Sequence, residues 1–512
     1  MKKKILALIL CLALSLIPLL SVSVYADAGY TYDEATDTYT VTTADGFIAV
    51  ANEMNGVDAE AKNLDANILL ANDIDMKGKT FPIIAPNGSG YFSGVFDGDG
   101  HTISNLVIES TSDRVGIVGQ SQGCTFKDLT VVDSSTKGKN YTALFIGDAR
   151  GGTADETVVF DNCHADNVIV ESTVSYATVF VTANKNSVEI KNCSVNNTTV
   201  RANGSHSGFF VCDRGECKTI TVENCVASGE MFGATTNAGL VGYACDTTIT
   251  LTNVASFVKT FDAANAASVI ANAKRSNVNM TNVLSFEAPI ALSDALGEKA
   301  ENNIVVNNAF AISTADAKIF KSVDINGTYA TSLTVNGVAS ENTAAAYAAA
   351  TIPAVNIEGA KAKIAEIFAS NEAIKTAALA GLGELFALNI VAGGAQLPIG
   401  ANAESANTSV RLVLTLTSAD VESLSNVGAY VSLAADAKAT GVKKTTSSVY
   451  TSINADNVQV DAATGTYFVL VEVSDIPNAS FGTSIYVTPF VTTAEGEVLG
   501  AEMSFSVTGL IG

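Results

Sequence analysis

Tryptophan is absent from this 512-residue chain, and histidine occurs only three times. The first absence removes the side chain best suited to stacking on sugar rings, which weakens glycan binding without excluding it. The second leaves little material for a metal site or nucleophilic triad, because His101, His164 and His206 share no repeated spacing. Basic residues are also scarce: 29 Lys and Arg against 52 Asp and Glu give a formal net charge of −23. That balance argues against nucleic acid and anionic membrane surfaces, where basic patches supply the affinity. No phosphate-cradling glycine loop occurs, so no cofactor is expected.

The one long apolar run lies at the N-terminus. Lys2, Lys3 and Lys4 precede an apolar stretch from Ile5 to Leu20, and Val24-Tyr25-Ala26 offers the small residues that signal peptidase prefers. Residues 1–26 are therefore expected to be a signal peptide cut after Ala26, with a retained membrane anchor as the alternative. Cys11 lies inside the apolar run, too early for a lipoprotein cysteine. Cleavage removes three lysines and takes the charge to about −26. No second membrane span, LPxTG tail or terminal basic cluster follows, so the expected location is secreted or extracellular, with cell-surface association open.

Seven cysteines remain: Cys124, Cys163, Cys193, Cys212, Cys217, Cys225 and Cys245. An odd number scattered through a large exported chain does not resemble a disulfide framework. Only Cys212 and Cys217, flanking Asp-Arg-Gly-Glu, form a disulfide candidate, with free thiols equally open.

What is abundant is repetition. ITVENCVAS (220–228) recurs as VVFDNCHAD (158–166), VEIKNCSVN (188–196), ITLTNVASF (249–257), VNMTNVLSF (278–286) and IVVNNAFAI (304–312). Each runs an alternating apolar pattern into an asparagine. Asn162, Asn192, Asn224, Asn253, Asn282 and Asn308 result, at steps of 30, 32, 29, 29 and 26 residues. Strand alternation inside a period of this size implies stacked coils. Asn105 and Asp128 extend the ladder forward, and eight positions at about 4.8 Å each make a rod roughly 40 Å long. Such asparagines can satisfy one another and the turn backbone. Cys163, Cys193 and Cys225 each follow a ladder residue, which predicts stacked thiols in a narrow interior; a metal site or a disulfide is the alternative.

The stretch FPIIAPNGSGYFSGVFDGDGHTISNLVI (81–108) carries Phe81-Pro82-Ile83, then Phe92, Gly94, Phe96, Asp97 and Gly98, then His101, Thr102, Ile103, Asn105 and Leu106. It resembles the first coil of secreted bacterial right-handed parallel β-helix proteins, with Phe81 where that group often has tryptophan. Later coils carry a second signal: GIVG (116–119), ALFI (143–146), GFFV (208–211) and GLVG (239–242), with weaker ATVF (177–180) and ASVI (267–270). These are similar to the GLUG repeat of bacterial surface and exported proteins, best at 239–242. Small residues there permit tight turns.

Residues 27–80 read as an N-terminal capping segment: a hairpin over 30–41, a short helix capped by Thr43 or Asp45, and a strand over 67–76. Such cover keeps the unpaired groups of a terminal coil from other chains. The β-helix is expected over 81–340. Residues 341–388 are alanine-rich with a helical period, interrupted at Asn371 and at Gly381 to Gly383, and read as a helical cap or linker over the last coil. Residues 389–512 show six or seven alternating strands, which make a β-sandwich similar to a small C-terminal module of secreted Gram-positive proteins. The expected fold is thus mainly β: a right-handed parallel solenoid, a short helical segment and a C-terminal sandwich.

Chemistry is thinly signalled. A pectin hydrolase of this fold would show paired aspartates, Gly-His-Gly and Arg-Ile-Lys, and none is present. A calcium-dependent lyase needs clustered carboxylates beside a basic residue. Arg114, Arg150, Arg201, Arg214 and Arg275 are the coil arginines available. Asp97-Gly-Asp99-Gly lacks the remaining ligands of an EF-hand and reads as a turn. No catalytic, cofactor or metal residue is assigned. The expectation is a non-catalytic, adhesin-like protein whose partner is an extracellular glycan or protein, held first by loops such as 148–157 and 213–218. A polysaccharide lyase or glycoside hydrolase, and a structural scaffold, are the alternatives.

Overall fold

The computed structural model describes residues 22–25, 29–57, 62–183, 185–213, 217–233, 236–260, 265–286, 288–290, 302–313, 315–320, 330–385, 389–417, 426–446, 449–450, 452–453, 458–459, 466–493 and 496–511. The chain is mainly β, with 54% strand and 13% helix, and is built on a parallel β-solenoid of about nine turns. The expected signal peptide lies outside these residues except for Val22–Tyr25, a strand antiparallel to Tyr30–Asp33.

Each coil lays strands on successive sheets, in register from coil to coil. The first sheet stacks residues such as Val159, Glu189, Thr221, Thr250, Asn279, Val305 and Thr334. The alternate side chains, including Phe160, Ile190, Val222, Leu251, Met280 and Val306, point inward and are buried. Phe96, Phe126 and Phe160 stack at 5.2 and 5.4 Å along the interior. That alternation is the period of two read in the sequence, and the buried row supplies the core.

The corner after the first sheet explains the asparagines. Asp128, Asn162, Asn192, Asn224, Asn253, Asn282 and Asn308 all take left-handed backbone, with φ between 49° and 57°. Asn and Asp tolerate that conformation where other side chains meet their own carbonyl. Asn162 donates to Asp128 at 2.8 Å, Asn253 to Asn224 at 2.9 Å, Asn282 to Asn253 at 2.7 Å and Asn308 to Asn282 at 2.7 Å.

Asn105 stands elsewhere, which corrects the ladder. Thr102 aligns with Thr130 and Ser104 with Val132, so Asn105 falls opposite Asp133 at a second left-handed corner, with Asn167 and Asn197 following. The ladder corner of the first coil is instead the turn at 98–101, longer than its counterpart at 128–129 and with Asp99 in left-handed backbone.

The N-terminal hairpin Tyr30–Asp33 and Thr38–Val41 adds to the stack through Asn67–Leu70. Helix α1 (Ala44–Met54) is capped by Thr43, whose hydroxyl accepts from Gly46 N at 3.1 Å. Its Phe47 stacks on Phe81 at 4.4 Å and meets Phe96 edge-on at 5.8 Å, sealing that end.

The later helices overturn the expectation that 341–388 caps the last coil. The short helix α2 (Ala344–Ala349) does close the core there, through buried Tyr347 together with Ile352. Helices α3 (Ile357–Ile367) and α4 (Glu372–Leu385) instead lie against the flank of the stack. The cause is the second sheet, whose outward rows change character along the rod. Thr102, Thr130, His164 and Ser194 give way in register to Val226, Ala255, Leu284 and Phe310. Ile364, Phe368, Ile374 and Leu382 cover that apolar half, each contributing about 1.5–3 kcal/mol. Asn371 separates the two helices and caps the second, accepting from Ile374 N at 3.1 Å. Gly381 does not break α4; a Cβ there would meet Ser228 Cβ at 2.8 Å, so glycine lets helix and sheet approach.

Beyond residue 388 two antiparallel sheets enclose a separate core of Ile390, Leu412, Leu414, Val427, Val469 and Val487. Val442–Thr446 and Gly496–Leu499 add strands that the sequence pattern does not mark, and the chain ends in a short helix, Val507–Ile511.

Candidate binding face

Chemically reactive side chains concentrate inside the solenoid. Cys163, Cys193 and Cys225 are fully buried and brought together: Cys193 Sγ accepts from Cys163 N at 3.3 Å, and Cys225 Sγ from Cys193 N at 3.4 Å. They fill the column that Leu129, Val254 and Val283 occupy in other coils. Burial raises the Cys193 thiol well above its ordinary range and pushes Cys124 up to about 12. Neither is a thiolate at neutral pH, so neither is poised as a nucleophile.

Of the two states left open for Cys212 and Cys217, the structure has the free thiols, and both are buried. Cys217 donates to Thr219 O at 3.1 Å and joins the solenoid core, whereas Cys212 packs with Tyr243 and Cys245. The two thiols serve different clusters. Arg214, and with it most of the loop between them, lies outside the described residues.

His206 is buried, stacked on Tyr243 at 4.4 Å and tilted on Tyr176 at 5.7 Å, in a column that continues to Tyr141 and Arg114. Burial and the nearby Lys274 ammonium pull its pKa down to about 4. His164 bonds Ser194 Oγ at 2.8 Å and Asn162 Oδ1 at 3.1 Å, and burial lowers its pKa too. His101 reaches Asp73 at 3.2 Å at the rod's edge. The arginines are engaged structurally. Arg114 bonds the buried Asp148 at 2.6 Å, with Arg150 at 3.7 Å; Arg275 pairs with Asp246 at 2.6 Å; Arg201 sits over Phe232 at 4.2 Å. Asp97 accepts from Asp99 N at 2.9 Å and pairs with Lys127 across the turn. No group of three or more His, Cys, Asp or Glu with metal-binding geometry occurs among the described residues.

The outward rows are different in kind. On the first sheet the early coils present Asp97, Lys127, Asp161, Lys191 and Glu223 in one column, with Lys191 paired to Glu189 beside it. From the next coil onward charge disappears. The outward residues become Thr248, Thr250 and Thr252, then Asn277, Asn279 and Thr281, then Asn303, Val305 and Asn307, then Ser332 and Thr334. Asn303 donates to Asn277 at 3.0 Å and Ser332 to Asn303 at 3.0 Å, so the rows are ordered laterally. The asparagine ladder borders them. The flanking helices cover the second sheet, and among the described residues the outward side chains of this one stay partly to fully exposed.

The third sheet carries a mixed column, Glu109, Lys137, Glu171, Arg201 and Phe232, with Lys137 and Glu171 paired at 2.8 Å. At its edge an open groove of about 790 Å³ is lined by Glu109, Ser110, Lys137, Lys139, Thr173 and Val174. Neither face carries a reactive motif that would mark it in the sequence. Their signal is the polar half of the alternation itself, TITLT, NVNMT and NIVVN, aligned on the ladder.

Fold and faces together define the class: a ladder-built parallel β-solenoid with open, regular sheet surfaces and a sandwich region. No protein-family model matches the chain, and no curated protein does. Among solved structures, it is similar to a crystal structure described as a "putative immunoglobulin A1 protease" from Bacteroides ovatus, at 18% identity and a TM-score of 0.39, covering 65% of this chain and 88% of that one.

Proposed function

We propose that the protein is exported and acts as a non-catalytic, adhesin-like interaction module that holds an extracellular or cell-surface ligand on the open first sheet. One observation carries this reading: among the described residues the outward rows of the first sheet are regular and keep side-chain exposure, while the stacked thiols and His206 are buried. A flat array of ordered polar side chains is suited to holding a ligand, since little entropy is lost on contact. The test is retention of residues 27–512 on an array of glycans and matrix proteins, followed by side-chain footprinting of the bound protein. Protection on the outward rows of the first sheet is the expected result. Protection confined to the sandwich or to the loops at 148–157 would sink the assignment of the face.

A second reading, a polysaccharide lyase or glycoside hydrolase, draws on the groove where Glu109 lies beside Lys137 and Lys139. Under that reading Glu109→Gln or Lys139→Ala abolishes product release; under ours there is no release to abolish.

A further inference from the structure

We infer that the uncharged half of the first sheet takes a neutral, hydroxyl-rich polysaccharide that engages several coils at once. This rests on the binding-module reading above and adds to it the chemistry of the ligand. In a chain of net charge −23, a run of coils whose outward rows carry no ionised group is a selective feature. Acidic polymers meet the negative field of the whole molecule and find no cation on these rows to offset it. A protein partner would be anchored by buried aromatic or arginine side chains, and these rows supply none. Hydroxyl and amide groups both donate and accept, as sugar hydroxyls do, so a polyol is matched at either polarity.

Spacing favours a polymer over a single sugar. Equivalent side chains repeat about every 4.8 Å along the stack and about every 6.6–6.8 Å along a strand. The rows are strand faces, so each contact is shallow and weak. A chain of repeating units converts successive contacts into intramolecular ones and gains affinity with length. The lateral bonds from Asn303 to Asn277 and from Ser332 to Asn303 hold the rows in place before the ligand arrives.

The test uses residues 27–512 in affinity electrophoresis on soluble unsubstituted glucan and mannan, against polygalacturonate and hyaluronate, at low and high salt. Expected is retardation by a neutral polymer, unchanged by salt, growing with chain length and undetectable for di- and trisaccharides. Thr250→Lys combined with Thr281→Lys should weaken it at least tenfold with the circular dichroism spectrum intact. Asn426→Lys, at an exposed position of the sandwich region, should leave it unchanged. Neutral-polymer retention indifferent to the paired lysines overturns the inference. Salt-sensitive retention on acidic polymers, or retention on protein ligands only, overturns it while the binding-module reading survives. No retention on any glycan or matrix protein defeats both.

Discussion

Asn253→Ala tests the corner chemistry on which the solenoid depends. Asn253 has φ of 53°, donates to Asn224 at 2.9 Å and accepts from Asn282 at 2.7 Å. Alanine in left-handed backbone costs about 1–2 kcal/mol. Two lost hydrogen bonds add about 0.5–1.5 kcal/mol each. The total, about 2–5 kcal/mol, should fall on the coils that share the corner. Hydrogen exchange is the suitable assay, because stacked coils open locally and a single global midpoint would average the effect away. Peptides over 219–233, 248–260 and 277–286 should exchange about 30- to 4,000-fold faster, at about 1.4 kcal/mol per decade. Asn279→Ala removes the same side chain from an extended outward position in the neighbouring coil, and should change exchange by less than about threefold, as exposed sites generally do. Asn253→Asp keeps the backbone preference and the acceptor, and Asp128 already fills a ladder corner, so it should fall between. Equal effects of Asn253→Ala and Asn279→Ala would refute the claim that left-handed corners hold the stack.

Three further expectations follow from buried groups and close contacts. His206 is held near pKa 4 from an ordinary 6.5, so the unfolded chain binds its proton first as pH falls. Stability is full above pH 6.5 and is lost between 6.5 and 4, by about 3 kcal/mol; in His206→Phe, which keeps the ring stack, that part of the acid loss should vanish from urea midpoints. The thiols of Cys124, Cys163, Cys193 and Cys225 should resist alkylation at pH 8 until denaturant is added, with Cys245, the least enclosed at 7% exposure, reacting first; rapid native labelling of the three stacked cysteines would contradict their placement. Gly381→Ala should loosen α4 by about 1–3 kcal/mol because its Cβ strikes Ser228, whereas Gly383→Ala, with open space around it, should tighten the helix by about 0.5–1 kcal/mol; limited proteolysis within 372–385 reads both.

Much of the solenoid is legible because its period is physical. An inward row must be apolar and a left-handed corner selects Asn or Asp, so ITVEN and ITLTN reveal both at once. Asn105 misled because it resembles a corner residue and is one, but of the second corner. Its step of 23 residues to Asp128 was the outlier, and its step to Asp133 is 28, within the spread of the other coils. The flank position of α3 and α4 was hidden because a helical period does not say what the helix covers; the answer lay in Val226, Ala255, Leu284 and Phe310, two residues past each ladder asparagine. Cys212 and Cys217 are close enough in sequence to bridge, yet their side chains belong to different clusters. The binding face was written in the outward residues, but absence of charge draws no attention until rows from separate coils are set side by side.

The most direct test of the central claim is to follow sugar release in the same wells that retain the protein. Residues 27–512 are applied to immobilised extracellular glycans, and reducing ends and unsaturated products are measured over time beside the bound protein. Retention with product at the level of protein-free wells is the predicted result. Product that accumulates in proportion to bound protein would contradict the account and direct attention to Glu109, Lys137 and Lys139 on the third sheet.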